Sequence, residues 1–416
     1  MVSTQPALDG LPTELLESVI ALLPFQDVCS LRLVSRTIAA RSGHGAFRKH
    51  FTTKTVNWTS TKQMQDFVHL TQPHWMGCLL QHLIIIGIAS AASLEHPSRL
   101  LTKAFTNLRL NSAHRGLRSI VLLVKGHDEN NNLVPCEKIR DWRQVWQTAA
   151  QTFIIMSCAL AESGLPLQEL DIFGSITRCS LACNQIGPIL DSIDLSRPLE
   201  KLKSLSLSLS HHTAEDPKGK ALRSLAAGKR HANDIGRLLK LCRQLESLEL
   251  HWYNLPGTNL SNEARTEERC FFTYIVQVAP LSQLRHCRLE GIYTDETTLL
   301  TFLKKATQLS SLSMEEIHLQ TGQFRPVFNY LTSHARSLDH LHLDDLWESR
   351  RLICFDSPRE PHFPCSAAYG PDTLTRIGGD CRCTIGYRLM QGRSLGFPQG
   401  LKWYRRKTLL YGPPDR

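Results

Sequence analysis

The first apolar stretch of the chain has the spacing of an amphipathic helix. After Pro12, apolar side chains recur three and four positions apart while the positions between them are mostly polar, so they form one helical face. These apolar positions are Leu15, Leu16, Val19, Ile20 and Leu23. Pro12 suits the first turn of a helix, because its missing N–H needs no partner there. Pro24 then ends the predicted helix.

A second helix is predicted directly after Pro24, with Asp27 as its N-cap. Its apolar positions are Val28, Leu31 and Val34, and a third short helix is expected to run through Ile38. Three helices of this size bury only part of their own apolar surface, because small domains bury a small fraction of their area. The pattern therefore predicts that some apolar side chains face a partner.

Residues 8–38 resemble an F-box. The resemblance rests on three runs of residues: Leu11-Pro12-x-Glu14-Leu15-Leu16, Leu22-Leu23-Pro24 and Leu31-Arg32-Leu33-Val34-Ser35-Arg36. It departs from the family after Ser35 and Arg36, where an aromatic residue is usual and Thr37, Ile38 and Ala39 stand instead. The competing interpretation is an amphipathic helical hairpin that packs on the rest of the chain.

The F-box resemblance implies docking to the Skp-type adaptor of a cullin-RING ubiquitin ligase. The adaptor-binding residues that it implies are Leu11, Pro12, Leu15, Leu16, Val19, Ile20, Leu31 and Val34. The cullin scaffold would then be an indirect partner, reached through the adaptor.

A six-residue pattern, apolar at its first, fourth and sixth positions, recurs after residue 70. The best copies are Leu167–Ile172, Leu202–Leu207, Leu245–Leu250, Leu284–Leu289, Leu309–Met314 and Leu338–Leu343, with two earlier copies at Leu80–Ile85 and Leu117–Leu122. Alternation within each copy predicts a short, half-buried strand. The intervening segments 235–243 and 297–306 have helical spacing. Each unit is therefore expected to contain one strand and one helix.

A strand and a helix per unit is typical of leucine-rich repeats. The six best copies begin 25 to 43 residues apart, so the array is expected to be irregular. The predicted fold class is α/β, with a three-helix F-box followed by a leucine-rich-repeat-like solenoid of short parallel strands alternating with helices. The predicted domains are 1–50 for the docking module, 51–349 for the solenoid and 350–416 for a basic cap or partly disordered tail. An all-helical repeat is the alternative.

Residues between the buried leucines of such strands face outward, on the surface where repeat proteins commonly bind. The target-binding candidates on this surface are Glu249, His251, His286, Arg288, Glu290, His340, His342 and Asp344. They mix acids and histidines with a single arginine. A basic or hydroxyl-rich protein target therefore suits this surface better than a phosphate-rich one.

Composition and charge narrow the class of protein. Hydrophobic residues make up 42% of the chain and charged residues 21%, as in ordinary globular proteins. The N-terminus lacks the pattern of a secretory signal. The apolar stretch 79–94 is interrupted by Gln81 and His82, so we expect no membrane-spanning helix. The net charge of +10 is concentrated in 218–230 and near the C-terminus, without a nucleic-acid-reading motif, so nucleic-acid binding is disfavoured.

The 13 cysteines have no regular spacing, which favours reduced thiols in the cytoplasm or nucleus. His362, Cys365, Cys381 and Cys383 could supply zinc ligands, but their spacing is looser than in structural zinc sites. We expect no metal and no cofactor. The predicted function is therefore a non-catalytic substrate receptor of a ubiquitin ligase. The alternative is an F-box protein that serves as an assembly partner outside ubiquitination.

Overall fold

The structure is a computed structural model of the 416-residue chain. It describes residues 10–41, 45–73, 76–89, 97–112, 116–128, 130, 132–139, 142–210, 229–253, 262–356 and 370–390. A helical N-terminal module is followed by a largely parallel β-sheet with helices between its strands, so the predicted mixed α/β class is confirmed. In this part of the chain, no helix is long and apolar enough to cross a membrane.

The N-terminal module consists of α1 (Thr13–Leu22), α2 (Phe25–Val34), α3 (Arg36–Arg41) and α4 (Gly45–Lys49). Pro12 and Pro24 occupy the N-cap positions of α1 and α2. The prediction that Asp27 caps the second helix is therefore wrong. Pro24, with φ fixed at −59°, lets that helix begin at the very next residue, and Asp27 falls in its first turn, where a negative charge is still favourable.

Twelve strands of the described residues form the main sheet. In chain order they are β1 (Thr53–Asn57), β2 (His82–Ala89), β3 (Leu117–His127), β4 (Leu133–Pro135), β5 (Leu167–Ile172), β6 (Leu181–Ala182), β7 (Ser204–Ser210), β8 (Ser247–Tyr253), β9 (His286–Glu290), β11 (Ser311–Glu315), β13 (His340–Asp344) and β16 (Thr373–Ile377). The first nine strands of its main path run parallel and lie in the order in which the chain makes them, while β16 runs antiparallel to β13. All eight predicted copies of the six-residue pattern fall on strands of this sheet.

Short strands form a second sheet beside the main one. They are β10 (Tyr293–Thr294), β12 (His318–Leu319), β14 (Trp347–Glu348), β15 (Arg351–Phe355) and β17 (Tyr387–Leu389). Since β10 and β12 each follow a long strand after a two-residue turn, the repeating units place one strand in each sheet. The backbone at this turn has positive φ at Gly291, Glu316 and Asp345, with values of 71°, 51° and 53°.

The helices that join the strands are α5 (Thr61–Leu70), α6 (Pro97–Asn111), α7 (Trp142–Ser163), α8 (Ile186–Ser192), α9 (Ser196–Leu199), α10 (Lys229–Leu241), α11 (Asn262–Val278), α12 (Glu296–Lys305) and α13 (Phe324–Ser333). The predicted helical segments 235–243 and 297–306 correspond to α10 and α12. Neighbouring helices pack on one another, as α6 does on α7 and α10 on α11. They form a continuous layer over the sheet.

The main core lies between the sheet and this helical layer. The inward side chains of the strands are almost fully buried, as shown by Leu250, Leu312 and Leu341 with at most 2% exposure. On the helical side they meet residues such as Phe302 and Phe328, each 1% exposed. Each buried leucine or phenylalanine contributes roughly 1.5–3 kcal/mol through the hydrophobic effect. The apolar positions of the six-residue pattern therefore fix which side of each strand faces the helices.

Candidate functional site

The first candidate surface belongs to the N-terminal module, whose own core must be distinguished from it. Leu16 and Ile20 lie four residues apart on α1 and are 0% and 1% exposed. They pack with Val28 of α2 and Phe47 of α4. This small core uses the inward face of α1. Leu16 and Ile20 were predicted to bind the adaptor, but in the structure they are buried among the other helices of the module instead.

Phe47 completes the module core and was not predicted. No aromatic residue follows Ser35 and Arg36 within α3, whereas Phe47 in α4 lies 5.0 Å, centroid to centroid, from Phe51. The guanidinium of Arg32 lies 4.1 Å from the centroid of the Phe47 ring, a cation–π contact. The only sequence signal for this role is the four-residue spacing of Phe47 and Phe51. A helix of five residues is too short for one such spacing to predict it.

A polar contact closes the module at its other end. The Arg41 guanidinium at the end of α3 donates to the carbonyl of Leu11 and lies 3.4 Å from the hydroxyl of Thr13. The start of α1 is thereby held against α3. Leu11 is half-buried beside this contact, and Pro12 is exposed.

The outward face of the module is apolar. Leu15, Val19 and Leu22 follow one another at helical spacing on α1 and are 54%, 38% and 87% exposed. On α2, Leu33 and Val34 are 88% and 73% exposed. Six of the nine large hydrophobic side chains that are exposed in the described part of the chain belong to these two helices. Such a concentration of exposed apolar side chains marks an interaction surface.

The predicted adaptor-binding residues thus divide into three groups: Leu16 and Ile20 are buried, Leu11 and Leu31 are half-buried, and the other four are exposed. Leu15, Val19 and Val34 are exposed on the outward face, and Leu31 is half-buried and packs against the module core. Leu22 and Leu33 are also exposed, although the prediction did not include them. They were missed because the predicted residues were chosen from the F-box resemblance and not from the solvent exposure of their side chains.

The second candidate surface is the side of the sheet that faces away from the helices. We define the polar face as twelve residues on β8, β9, β11 and β13 that form three cross-strand rows. The rows are Ser247, His286, Ser311 and His340; Glu249, Arg288, Ser313 and His342; and His251, Glu290, Glu315 and Asp344. All eight predicted target-binding candidates are members. The structure therefore brings them together in the predicted register.

Arg288 holds the centre of the polar face. Its guanidinium lies 3.2 Å from a carboxylate oxygen of Glu290 on its own strand and 3.2 Å from one of Glu315 on the next strand. Partial burial lowers the pKa of Arg288, but the carboxylates of Glu315, Glu290 and Glu249 raise it by more. The guanidinium therefore stays charged, and it is outnumbered by the acids around it.

The candidates on the polar face differ in accessibility. Glu249, His286 and Arg288 are exposed, whereas Glu290 and Asp344 are each only 8% exposed. The hydroxyl of Thr373 on β16 donates to Asp344 over 2.6 Å. His342 also contacts β16, with its Nδ1 atom 2.8 Å from the hydroxyl of Thr375. A target would thus meet Glu249, His286 and Arg288 first.

Asp171 extends the acidic character of this side of the sheet to β5. It is paired in register with Ser206 of β7, which in turn is paired with Glu249. Burial raises the pKa of Asp171, and the charge of Glu249 acts in the same direction. The backbone N–H of Gly174 donates to its carboxylate over 2.6 Å and opposes that shift.

A ladder of aromatic rings lies on the second sheet. Tyr293, His318 and Trp347 are aligned on β10, β12 and β14, with ring centroids 4.6 Å and 5.7 Å apart and planes tilted by only 15° and 18°. All three are half-buried. Sequence reasoning missed this ladder, although its signal is an aromatic ring placed four residues beyond the end of each of the last three copies of the pattern.

The possible zinc ligands are only partly within the described residues. Cys381 is buried and Cys383 is exposed, while His362 and Cys365 lie outside the described residues. Within the described ranges, no three His, Cys, Asp or Glu side chains are grouped so that they could hold a metal ion. The cysteines at described positions are free thiols.

Comparison with known proteins identifies the N-terminal module. The F-box domain family matches residues 8–41, which cover α1, α2 and α3. No curated protein matches this chain. An F-box domain implies a partner of the Skp adaptor type, and proteins that carry one are generally non-catalytic adaptors. The resemblance of residues 8–38 to an F-box is thus confirmed.

Proposed function

We propose that this chain is the substrate receptor of an SCF-type cullin-RING ubiquitin ligase. Its F-box would bind the Skp-type adaptor, which links it to the cullin, and the polar face would bind a protein target. Transfer of ubiquitin would then follow from the proximity of the target to an enzyme carried by other subunits. The observation that carries this proposal is the F-box match at residues 8–41 together with the apolar outward face of the same helices.

The adaptor would cover the outward face of the module. This face contains three exposed apolar side chains in one row, Leu15, Val19 and Leu22. Each side chain that the adaptor covered would contribute roughly 1.5–3 kcal/mol to binding. Leu31 would act indirectly, because it packs against the core that holds α1 in place. Leu16 and Ile20 would act in the same indirect way.

We further propose that the sheet is a degenerate leucine-rich-repeat array. Two observations support this: the copies of the six-residue pattern fall on parallel strands, and the strands follow one another in chain order. Such an array would present the polar face as a continuous binding surface. The acidic surroundings of Arg288 favour a basic or hydroxyl-rich target, and the cytoplasm or nucleus would be the place of encounter.

The experiment is affinity purification of the full chain from cells with the proteasome inhibited, followed by mass spectrometry. The wild type is compared with the double variant Leu15→Asp/Val19→Asp, which places charges on the exposed face and leaves Leu16 and Ile20 in the core. A buried charge without a partner is strongly unfavourable, so the variant is expected to lose adaptor and cullin together. Leu133→Asp is the matched control, because Leu133 is 51% exposed, similar to Leu15, but lies in β4 outside the module.

The outcomes separate the parts of the proposal. Adaptor and cullin retained by the wild type and lost by the double variant support the ligase function. Adaptor without cullin in the wild type would contradict it and favour an assembly role outside ubiquitination. Equal retention of the adaptor by the double variant would show that the outward face of α1 is not the docking surface.

A further inference from the structure

A third surface feature, separate from the module and from the polar face, is a cavity of about 1030 Å³ at the end of the sheet where β3 and β5 begin. Its walls come from five places: Gln81 before β2, the end of α6, the start of β3, the segment from the end of α7 into β5, and the residues around α9. The volume is at the upper end of the range for small-molecule sites. The charged residues in its lining are Arg109, Arg118, Arg197 and Lys201.

Two of these arginines converge on one point. The Nη1 atom of Arg109 lies 3.4 Å, and that of Arg197 lies 3.5 Å, from the position that a Cβ atom would take on Gly164. Gly164 has a φ of +61° and carries no side chain, so both guanidinium groups can approach the backbone there. Arg109 and Arg197 are far apart in the sequence and belong to different elements, so the fold alone brings their charges together.

The positive charge of the cavity is not balanced within it. Arg118 lies 3.3 Å from a carboxylate oxygen of Glu169. Among the described residues, no carboxylate lines the cavity and none forms an ion pair with Arg109, Arg197 or Lys201. Like charges held close together repel each other, and an anion between them would turn that repulsion into attraction.

We propose that this cavity binds a phosphoryl group. The guanidinium groups of Arg109 and Arg197 supply paired N–H donors in the planar arrangement that matches phosphate oxygens, and the Lys201 ammonium supplies a third charge. The phosphoryl group belongs either to a small phosphate compound or to a phosphorylated side chain. The site lies at the start of the strands and shares no residue with the F-box or with the polar face, so it does not depend on the function proposed above.

The test is a thermal-unfolding titration of the purified full chain at constant ionic strength. The probes are inorganic phosphate, pyrophosphate and a short phosphoserine peptide, each compared with chloride and, for the peptide, with its unphosphorylated form. A ligand that binds only the native state raises Tm, and the rise grows with the logarithm of ligand concentration divided by Kd. The variants are Arg109→Gln, Arg197→Gln and Lys201→Gln. Arg243→Gln, at an exposed arginine that does not line the cavity, is the matched control.

We expect at least one phosphate probe to raise Tm above the chloride value in the wild type and in Arg243→Gln. Loss of one charged hydrogen-bonding group should weaken apparent binding roughly tenfold in each of the three cavity variants. Lys201 is exposed, so its variant keeps the test valid if an arginine variant folds poorly. A response to the peptide alone assigns the site to a phosphorylated protein, and a response to pyrophosphate or phosphate assigns it to a small compound.

Two results would overturn the proposal. One is a Tm that does not depend on any phosphate probe. The other is a phosphate-dependent rise that is the same in the wild type and in the cavity variants, which would reflect general anion effects. If the variants instead have a lower Tm without ligand and the wild type does not respond to phosphate, the arginines serve to stabilise the ends of α6 and α7, where positive charge is favourable.

Discussion

Arg288 and Glu315 are 27 residues apart in the chain, yet their charged groups meet at 3.2 Å on the adjacent strands β9 and β11. The same guanidinium lies 3.2 Å from Glu290, whose side chain is only 11% exposed. One positive charge thus holds two poorly exposed carboxylates next to each other. It stabilises the polar face from within, besides any contact that it makes with a target.

Replacing Arg288 with Met should destabilise the chain, because the carboxylates of Glu290 and Glu315 would then repel each other. We expect a loss of about 1 kcal/mol, since the arginine is half exposed and solvent screens such pairs. Chemical denaturation at low and high salt measures it, and salt should reduce the loss. Adding Glu315→Gln to Arg288→Met should restore part of the stability. A double variant no more stable than Arg288→Met would show that repulsion is not the cause.

Leu15 and Leu16 are adjacent in the sequence, but replacement by Ala should reduce the stability of the module strongly at Leu16 and hardly at all at Leu15. Leu16→Ala opens a cavity in the small module core and should cost about 2–5 kcal/mol, whereas Leu15→Ala should change module stability by less than about 0.5 kcal/mol. Hydrogen exchange of the α1 and α2 amides measures the local stability. Adaptor affinity should fall in Leu15→Ala although its exchange is unchanged. Faster exchange in both variants would indicate that Leu15 also supports the core.

Asp171→Asn should stabilise the chain more at neutral pH than at acid pH. Burial raises the pKa of Asp171, so the native state binds its proton more tightly than the unfolded state does. Stability therefore falls as pH rises from the usual value of 3.8 to the raised pKa, and the neutral Asn variant escapes this loss. The asparagine oxygen can still accept from Gly174. The measurement is the difference in unfolding free energy between variant and wild type from pH 4 to pH 7.

Asp194→Asn is a control of opposite sign. Hydrogen bonds from Ser196 lower the pKa of the exposed Asp194, so its stabilising effect is present at neutral pH and is lost as pH falls through the lowered pKa. The stability of Asp194→Asn relative to wild type should fall as pH rises through the lowered pKa to the usual value of 3.8, and should level off at higher pH. Parallel pH profiles for the two variants would contradict the assignment of burial as the cause at Asp171.

Thiol alkylation should distinguish exposed from buried cysteines. Burial raises the pKa of Cys242 to about 12 and that of Cys354 to about 11. Only the thiolate reacts, and at pH 8 it is about one part in ten thousand of a thiol with pKa 12. Iodoacetamide should therefore modify the exposed Cys383 of the native chain long before Cys242 or Cys354. Mass spectrometry of digested samples measures this, and urea should remove the difference. Equal native labelling would show that these core positions open readily.

Eight strands of the main sheet were predictable because their apolar residues alternate. Leu248 and Leu250 point to the helices, and Glu249 must then point away, which fixes the register of the polar face. The missed strand β1 has a single fully buried residue, Val56, and three exposed ones, so it lacks that alternating signal. Its place beside β2 comes from tertiary pairing and not from its own pattern.

The sequence indicated most residues of the two candidate surfaces, but it did not indicate how deeply each side chain is buried. A helical face of five apolar residues does not reveal which of them face the other helices, so Leu16 and Leu15 could not be separated from the sequence. Likewise, Asp344 is shielded by Thr373 of β16. The segment that contains β16 has no repeat pattern, so its pairing with β13 could not be predicted from the sequence. Phe47 was missed for the same reason, since its role depends on where α4 folds back.

The antiparallel pairing of β16 with β13 covers the strand edge at which the parallel part of the main sheet would otherwise end. A parallel array ends in a strand whose open edge can recruit another chain, and such edges lead to aggregation. Here Thr373–Ile377 takes that place, with Thr375 exposed and Arg376 half-buried on it. Because β16 is antiparallel to β13, it does not continue the parallel repeat. Removal of Thr373–Ile377 should therefore leave the edge of β13 open to pairing with another chain.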